Sequence, residues 1–197
     1  MDILTKLFGS SNRIKLLRLF LFNPDQVLER KEVAQRSKVT ATNLRKEMKL
    51  LESIGFVKAR KIKPPKGSRR KSLNGWELNS SFPFIGHLRS LFNSDFLHRR
   101  AEIAKKFRHC GKIKLLLVSG VFLQTGDSRL DLFIVGDALK RGQIDGVVRS
   151  IEAEVGRELV YAVLPTKDFF YRLNSSDKFI RDVFDYPHEK LVDKLVL

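Results

Sequence analysis

The chain has 197 residues, of which 43% are hydrophobic, so it can bury a core and form one large domain or two small ones. Its formal net charge of +16 favours a polyanionic partner, either nucleic acid or an anionic membrane surface. A single Cys excludes a disulfide framework within the chain, and four scattered His offer no metal site, so we expect no cofactor and a reducing, cytoplasmic location.

The positive charge is concentrated in the first part of the chain. Residues 1–80 carry 19 Lys and Arg against 7 Asp and Glu, whereas residues 81–197 carry 19 against 15. This asymmetry predicts that an N-terminal domain over residues 1–80 meets a polyanion. Helix and strand patterns predict joining helices over residues 81–110 and a C-terminal domain over residues 111–197. Lys15 and Arg18 interrupt the apolar run 14–22 at helical spacing, and no window approaches the ~18 uninterrupted apolar residues of a membrane span.

Helical patterns with polar caps cover most of the first fifty residues. Ser10 or Ser11 can cap a helix that runs to about Phe22, and Asn23-Pro24 ends it. Residues 30–37 predict a short helix, a tight connection follows, and Thr40 is expected to cap the next helix. On that next helix the following residues share an apolar side, which we expect to pack inward: Ala41, Leu44, Met48 and Leu51.

The opposite side of the same helix is polar. It carries Thr42, Asn43, Lys46 and Lys49, with Arg45 at its edge. Asn can pair bidentately with adenine and Arg with guanine, whereas Thr and Lys serve methyl groups or phosphates. Any surface helix has a charged side, so the interpretation as a DNA reader depends on the short helix before it and the basic segment after it.

A strongly basic hairpin is predicted directly after this helix. Gly55 can supply the left-handed conformation that ends the helix, residues 56–63 and 73–78 read as strands, and residues 64–70 form the tip. Residues 58–71 contain no acid and eight cations, namely Lys58, Arg60, Lys61, Lys63, Lys66, Arg69, Arg70 and Lys71. Such a run repels itself unless a polyanion neutralises it, and each neutralised phosphate would steepen the log–log salt dependence by about 0.9. Asn74-Gly75 is a competing turn signal that would kink or bulge the hairpin.

Residues 10–80 resemble the winged helix-turn-helix of prokaryotic transcriptional repressors of the arsenic-sensor and multiple-antibiotic-resistance type. The strings over residues 39–46 and 51–57 carry the resemblance. It implies contacts to bases or phosphates from Ala41, Thr42, Asn43, Arg45 and Lys46, and from Arg69, Arg70 and Lys71 in the wing. Lys49 on the same helix side and Lys66 in the tip complete the predicted set. The metal-binding Cys of the arsenic sensors is absent, so metal-gated release is not expected.

The remaining chain predicts an α+β arrangement. Helices over residues 84–92 and 94–108 are expected to join the two halves and to pair in a homodimer, with half-sites about 34 Å apart. Strands over residues 112–120, 129–136 and 157–164 alternate with helices over 143–156, 167–173 and 178–185. This order predicts a small mixed sheet that helices cover on at least one face.

The second half resembles the minimal nucleotidyltransferases of the DNA polymerase β superfamily, in which Gly-Ser follows the first strand and Asp-x-Asp lies on the second. Two carboxylates spaced by two residues share a strand face and hold two metals. Here Val121 replaces the Ser, Arg129 replaces the first Asp, Asp131 alone remains, and the third carboxylate position falls near Tyr161. The resemblance therefore implies a degenerate domain without catalytic residues or a metal, in which Asp131 is a structural remnant that pairs with Arg129 or caps a helix.

Three functions remain open at this point. The favoured one is a sequence-specific, non-enzymatic regulator of transcription that binds double-stranded DNA. Its second domain would serve dimerisation and stability, or would bind a nucleotide or other phosphate-bearing effector at a cleft of Gly120, Gly126, Arg129 and Asp131. The second is an active nucleotidyltransferase that modifies a protein, a tRNA or a small molecule. The third is an RNA-binding factor, against which the lack of aromatic residues between Val57 and Gly75 argues.

Overall fold

A computed structural model describes residues 3–62, 73–123 and 128–195, and for residues 96–101 it describes the backbone alone. Helices and strands are mixed throughout, as the sequence predicted. The chain divides into two compact units, one formed by Met1–Phe92 with Glu152–Arg157 and the other by Asn93–Ile151 with Glu158–Leu197. Within the described ranges, every helix is too short or too polar to cross a membrane.

Among the described residues, the first unit contains four helices, the start of a fifth, the last residues of a sixth, and a small antiparallel sheet. Its elements in chain order are α1 (Ile3–Phe8), α2 (Ser11–Leu21), β1 (Leu28–Glu29), α3 (Arg30–Ser37), α4 (Ala41–Ser53), β2 (Val57–Ile62), β3 (Leu73–Leu78) and the start of α5 (Ile85–Lys106). The sheet order is β1-β3-β2, so β3 lies between the other two strands. The short strand β1 was not predicted, because two residues carry no alternation of their own.

Residues next to the helix ends determine where α2 begins and where α4 begins and ends. The Ser10 hydroxyl accepts a hydrogen bond from the Arg13 amide at 3.2 Å, which confirms Ser10 as the cap of α2. Thr40 occupies the cap position of α4, but its side chain makes no capping hydrogen bond, so the predicted side-chain cap is wrong. At the other end of α4, Gly55 adopts a φ of 74°, and the Phe56 amide donates to the Leu51 carbonyl.

The hairpin β2–β3 is regular across Asn74-Gly75. Its strands pair in unbroken antiparallel register from Val57↔Leu78 to Ile62↔Leu73, so the kink predicted at this dipeptide is wrong. Gly75 instead allows β1 to approach, because a Cβ at this position would lie 2.7 Å from the Leu28 carbonyl oxygen. Glycine here is needed for strand packing and not for a turn.

The core of the first unit lies between α2, α3, α4 and the hairpin. It includes these fully buried side chains: Leu16, Phe20, Leu28, Val33, Leu44, Met48, Leu51 and Phe56. Ala41 was expected on the inward side of α4 but is exposed. The reason is that Ala41 is the first residue of the helix and precedes the turn that reaches the core, which begins at Leu44.

The segment Glu152–Arg157 belongs to the first unit and forms hydrogen bonds with α2 and with Asn23, which lies just beyond that helix. The Arg18 guanidinium donates to the Glu154 carbonyl at 2.9 Å, and the Asn23 amide donates to the Gly156 carbonyl at 2.6 Å. Arg18 is 1% exposed and lies 5.1 Å from the centre of the Phe92 ring. The charge of Arg18 is therefore buried in the core of the first unit.

Helix α5 is continuous over 22 residues, so the prediction of two helices that meet near residue 93 is wrong. Asn93, Ser94 and Asp95 are residue types that favour helix starts. No Gly or Pro lies between His87 and Cys110, and without a residue that breaks the backbone the helix continues through them.

The second unit is built on a four-stranded mixed sheet. After α5 come β4 (Lys112–Val118), a 3-10 turn (Gly120–Phe122), β5 (Leu132–Asp137), α6 (Arg141–Val155), β6 (Tyr161–Pro165), α7 (Thr166–Asn174), α8 (Lys178–Asp185) and β7 (Glu189–Asp193). The order is β6-β5-β4-β7, and β5–β6 is its parallel pair. Strand β7 was not predicted, because a short strand at the edge of a sheet is specified by its partner β4 and not by its own pattern.

Both faces of this sheet are buried. On one face Leu115, Leu117, Phe133 and Val135 pack with apolar residues of α7 and α8. The alternating residues Leu116 and Ile134 are also fully buried. The parallel β5–α6–β6 connection accounts for the second layer, because such a crossover returns over the face of the sheet. The predicted mixed sheet with helical cover is therefore confirmed.

Candidate nucleic-acid interface

Helix α4 separates a buried side from a polar exposed side. Leu44, Met48 and Leu51 are at most 1% exposed. All six residues predicted on this helix to contact DNA are exposed, namely Ala41, Thr42, Asn43, Arg45, Lys46 and Lys49. Their side chains combine amide, hydroxyl and cationic groups along one rod about 20 Å long, at 1.5 Å per residue. These chemical groups can bind base edges and phosphates.

A buried carboxylate ties α4 to the start of α2. Glu47 is 5% exposed and accepts hydrogen bonds from the Ser10 hydroxyl at 2.7 Å and from Arg13 Nε at 2.9 Å. Arg13 also donates from Nη1 to the Phe8 carbonyl at 2.7 Å, which adds the end of α1 to the same cluster. We call Ser10, Arg13 and Glu47 the α4 anchor. It fixes the rotation of α4 about its axis, and therefore which residues face outward.

The connection between α3 and α4 is closed by short-range hydrogen bonds. The Ser37 hydroxyl donates to the Val33 carbonyl at 2.6 Å, and the Val39 amide donates to the Ser37 oxygen at 3.3 Å. Lys38 lies between them in the left-handed conformation, with φ 53°, and is exposed. Its charge at the entry to α4 adds a candidate phosphate contact that sequence reasoning missed.

Helix α3 is held in place through Arg36. This side chain donates from Nη2 to the Asn23 amide oxygen at 2.8 Å and from Nη1 to the Gln26 amide oxygen at 2.9 Å. It also forms an ion pair with Glu32 at 3.3 Å. The loop before β1 and the helix before α4 therefore share one hydrogen-bonded group.

The strand β2 of the hairpin carries further exposed cations, in addition to those of α4. Lys58, Arg60 and Lys61 on β2 are exposed. Arg60 forms an ion pair with Glu77 at 2.6 Å, and this hydrogen bond holds the pKa of the Glu77 carboxyl below its ordinary value. Arg60 is thus partly neutralised within the hairpin, which leaves Lys58 and Lys61 as the stronger candidates for a polyanion. The predicted tip contacts Lys66, Arg69, Arg70 and Lys71 lie outside the described residues.

The carboxylate of Asp131 in the second unit accepts hydrogen bonds from the backbone. One oxygen accepts from the Val121 amide and the other from the Val160 amide, both at 2.9 Å. Asp131 is 7% exposed and joins the 3-10 turn to the segment that precedes β6. The suggested pairing with Arg129 is wrong, because Arg129 lies before β5 and pairs with Asp182 at 3.0 Å.

The predicted effector cleft has little open space among the described residues. A Cβ on Gly120 would overlap the Asp131 carboxylate and the Ser128 hydroxyl. The cavity beside Ser119 and Arg129 measures about 10 Å³, which is room for about one water molecule. Gly126 lies outside the described residues, and binding of a nucleotide or phosphate at this place stays a hypothesis that requires the space to open.

The position predicted for a third carboxylate is occupied by Tyr161, whose hydroxyl donates to Asp145 on α6 at 2.9 Å. Within the described residues, His, Cys, Asp and Glu form no group of three or more that could hold a metal. No protein-family description matches this sequence, and no curated protein matches it.

Proposed function

We propose that this protein is a transcriptional regulator that binds specific sequences of double-stranded DNA. Its first unit would be a winged helix-turn-helix of the prokaryotic repressor type, with α4 as recognition helix and the hairpin β2–β3 as wing. The order helix, short strand, two helices, hairpin supports this assignment. The single observation that carries it is the exposed side of α4, which presents Asn43, Arg45 and Lys46 opposite a fully buried side.

The proposed docking follows from the dimensions of B-form DNA. Its major groove is about 12 Å wide and admits one α-helix. Asn43 would pair with adenine and Arg45 with guanine, whereas Lys46 and Lys49 would contact phosphates. Lys58 and Lys61 on β2 would extend the phosphate contacts along the flanking backbone. Bases would thus be read by the helix, and affinity would come from both elements.

The second unit would be a degenerate nucleotidyltransferase-like domain that supports dimerisation or senses an effector. Asp131 supports the assignment of a degenerate domain, because both of its carboxylate oxygens already accept hydrogen bonds from backbone amides. In a homodimer two copies of α4 would address half-sites about 34 Å apart, one turn of the duplex. A selected operator would then be palindromic.

Selection of bound fragments from a random duplex library, followed by gel-shift assays, tests the proposal. Arg45→Ala is expected to weaken operator binding by about 1–3 kcal/mol and to relax specificity at one base pair. Lys58→Ala is expected to weaken all duplexes alike and to reduce the log–log salt slope by about 0.9. Arg149→Ala, which removes an exposed Arg from α6, is the matched control and should change neither.

Two outcomes would count against this function. Absence of retardation for every duplex at modest ionic strength would exclude DNA binding as such. Equal losses for Arg45→Ala on selected and random DNA would exclude base readout by α4 and leave only electrostatic attachment.

The transferase alternative has its own assay. Incubation of the full chain with labelled nucleoside triphosphates and Mg²⁺ or Mn²⁺ should give no transferred label. Label transfer that Asp131→Asn abolishes, while a folded variant remains by circular dichroism, would overturn the assignment of a degenerate domain.

A further inference from the structure

An open groove of about 440 Å³ lies on the second unit between the C-terminal end of α5 and the helix α6. One wall is formed by Lys106, His109 and Cys110, and the other by Gln143, Gly146 and Val147. Its volume is within the range of about 300–1,000 Å³ that is typical of small-molecule sites. None of the residues predicted from the sequence to contact DNA or an effector lines it.

The charge of the lining has one sign. Lys106 supplies a cation, and among the described residues no Asp or Glu lies in the lining. Lys140 is close enough to act on the Cys110 thiol, because its charge partly offsets the rise in the pKa of Cys110 that burial causes. A bound anion would therefore meet attraction and no carboxylate repulsion from the groove.

The rest of the groove is mostly apolar. Cys110 is 1% exposed, and burial keeps its thiol protonated, so it acts as a small apolar wall and not as a nucleophile. Val147 adds a branched apolar side chain beside it. Gly146 leaves the floor open, since a Cβ at this position would meet no atom within 4 Å.

We propose that this groove binds a small organic anion with an apolar body, such as an aromatic carboxylate or sulfonate. The anionic group lies beside Lys106 and His109, the apolar body lies over Gly146 and Val147, and the Gln143 amide supplies a hydrogen bond. Each part of the ligand matches one part of the lining. The site lies in the second unit and does not depend on DNA binding by the first.

Fluorescence titration of the full chain with 8-anilino-1-naphthalenesulfonate tests the proposal, with the neutral N-phenyl-1-naphthylamine as the matched probe. Gly146→Leu fills the groove and is expected to weaken binding of the sulfonate at least about tenfold, because two groups cannot occupy the same space. Gly142→Leu is the control, since Gly142 lies one turn earlier on α6, also has open space around it and does not line the groove. Both changes replace a helical Gly by a good helix former, so both variants should fold.

The charge and the position of the probe are tested separately. Lys106 is half-buried, so Lys106→Gln is expected to weaken binding of the sulfonate about two- to fivefold, the worth of an ion pair near the surface, and to leave binding of the neutral probe unchanged. Backbone amide shifts in labelled protein should change most over residues 106–110 and 143–150. The proposal is overturned if both glycine variants bind the sulfonate equally well, if the neutral probe binds as tightly as the anion, or if the shifts lie elsewhere.

Discussion

Substitutions in the α4 anchor test whether the contact between α2 and α4 sets the orientation of the proposed recognition helix. Replacement of Glu47 by Ala removes the acceptor of Ser10 and of Arg13. Breaking a fully buried ion pair costs about 3–5 kcal/mol. The side chain of Glu47 is 7% exposed and that of Arg13 is 28% exposed, so water can solvate the abandoned guanidinium. We therefore expect Glu47→Ala to lower the free energy of unfolding by about 2 kcal/mol, below the fully buried range.

Glu47→Gln separates orientation from stability, because it keeps the size of the side chain and one acceptor oxygen. The charged hydrogen bond to Arg13 is lost, and α4 can rotate relative to α2. We expect operator DNA to be bound several-fold more weakly while random duplexes are bound as before, since phosphate contacts tolerate a rotation that base contacts do not. Urea unfolding and competition gel shifts on the same preparations give both quantities.

Glu52→Gln is the control for this change. Glu52 lies on the same helix, is exposed, and carries the same charge, so both variants add one unit to the net positive charge. If the two variants have the same unfolding midpoint and the same ratio of operator to random affinity, the anchor does not set the orientation of α4 and the reasoning is refuted.

Three further changes test packing and electrostatics elsewhere. Gly156→Ala should destabilise the protein by more than about 2 kcal/mol in urea unfolding, because φ is +80° and the new Cβ would lie 2.5 Å from the Arg18 carbonyl carbon; an unchanged midpoint would contradict this. Asp131→Asn should cost about 1.5–3 kcal/mol in thermal unfolding, since one charged acceptor of backbone amides is lost. The hydrogen bond from Lys114 lowers the pKa of Asp137, so the stability it adds is present above the ordinary pKa and is lost as the pH falls through the lowered one. Lys114→Met should therefore raise the pKa of Asp137 in a carboxyl-carbon NMR titration, and no rise would contradict the assignment.

The elements that sequence reasoning placed correctly are those with local signals at their ends. Helix α3 begins and ends at the predicted residues, and Gly55 takes the left-handed conformation expected where α4 ends. The strands β1 and β7 were missed because their existence depends on β3 and β4, which lie far along the chain. Helix α5 was divided in error, since polar residues favour a helix start but do not break a helix.

The same distinction applies to the candidate site. Helical periodicity was sufficient to place Asn43, Arg45 and Lys46 on the exposed side of α4. It could not indicate the α4 anchor, because Ser10 precedes Glu47 by 37 residues and the ion pair exists only after α2 and α4 have packed. Nor could it show that both oxygens of Asp131 would be taken by amides of Val121 and Val160, which are distant in sequence.

The position of β2 in its sheet gives its cations a second role. The order β1-β3-β2 leaves β2 as an outer strand with one open side. Lys58, Arg60 and Lys61 project from that strand, and like charges on an outer strand oppose pairing with a strand of another molecule. Variants that neutralise several of these cations together are therefore expected to aggregate, whatever their effect on nucleic acid, and light scattering should accompany every binding measurement made on them.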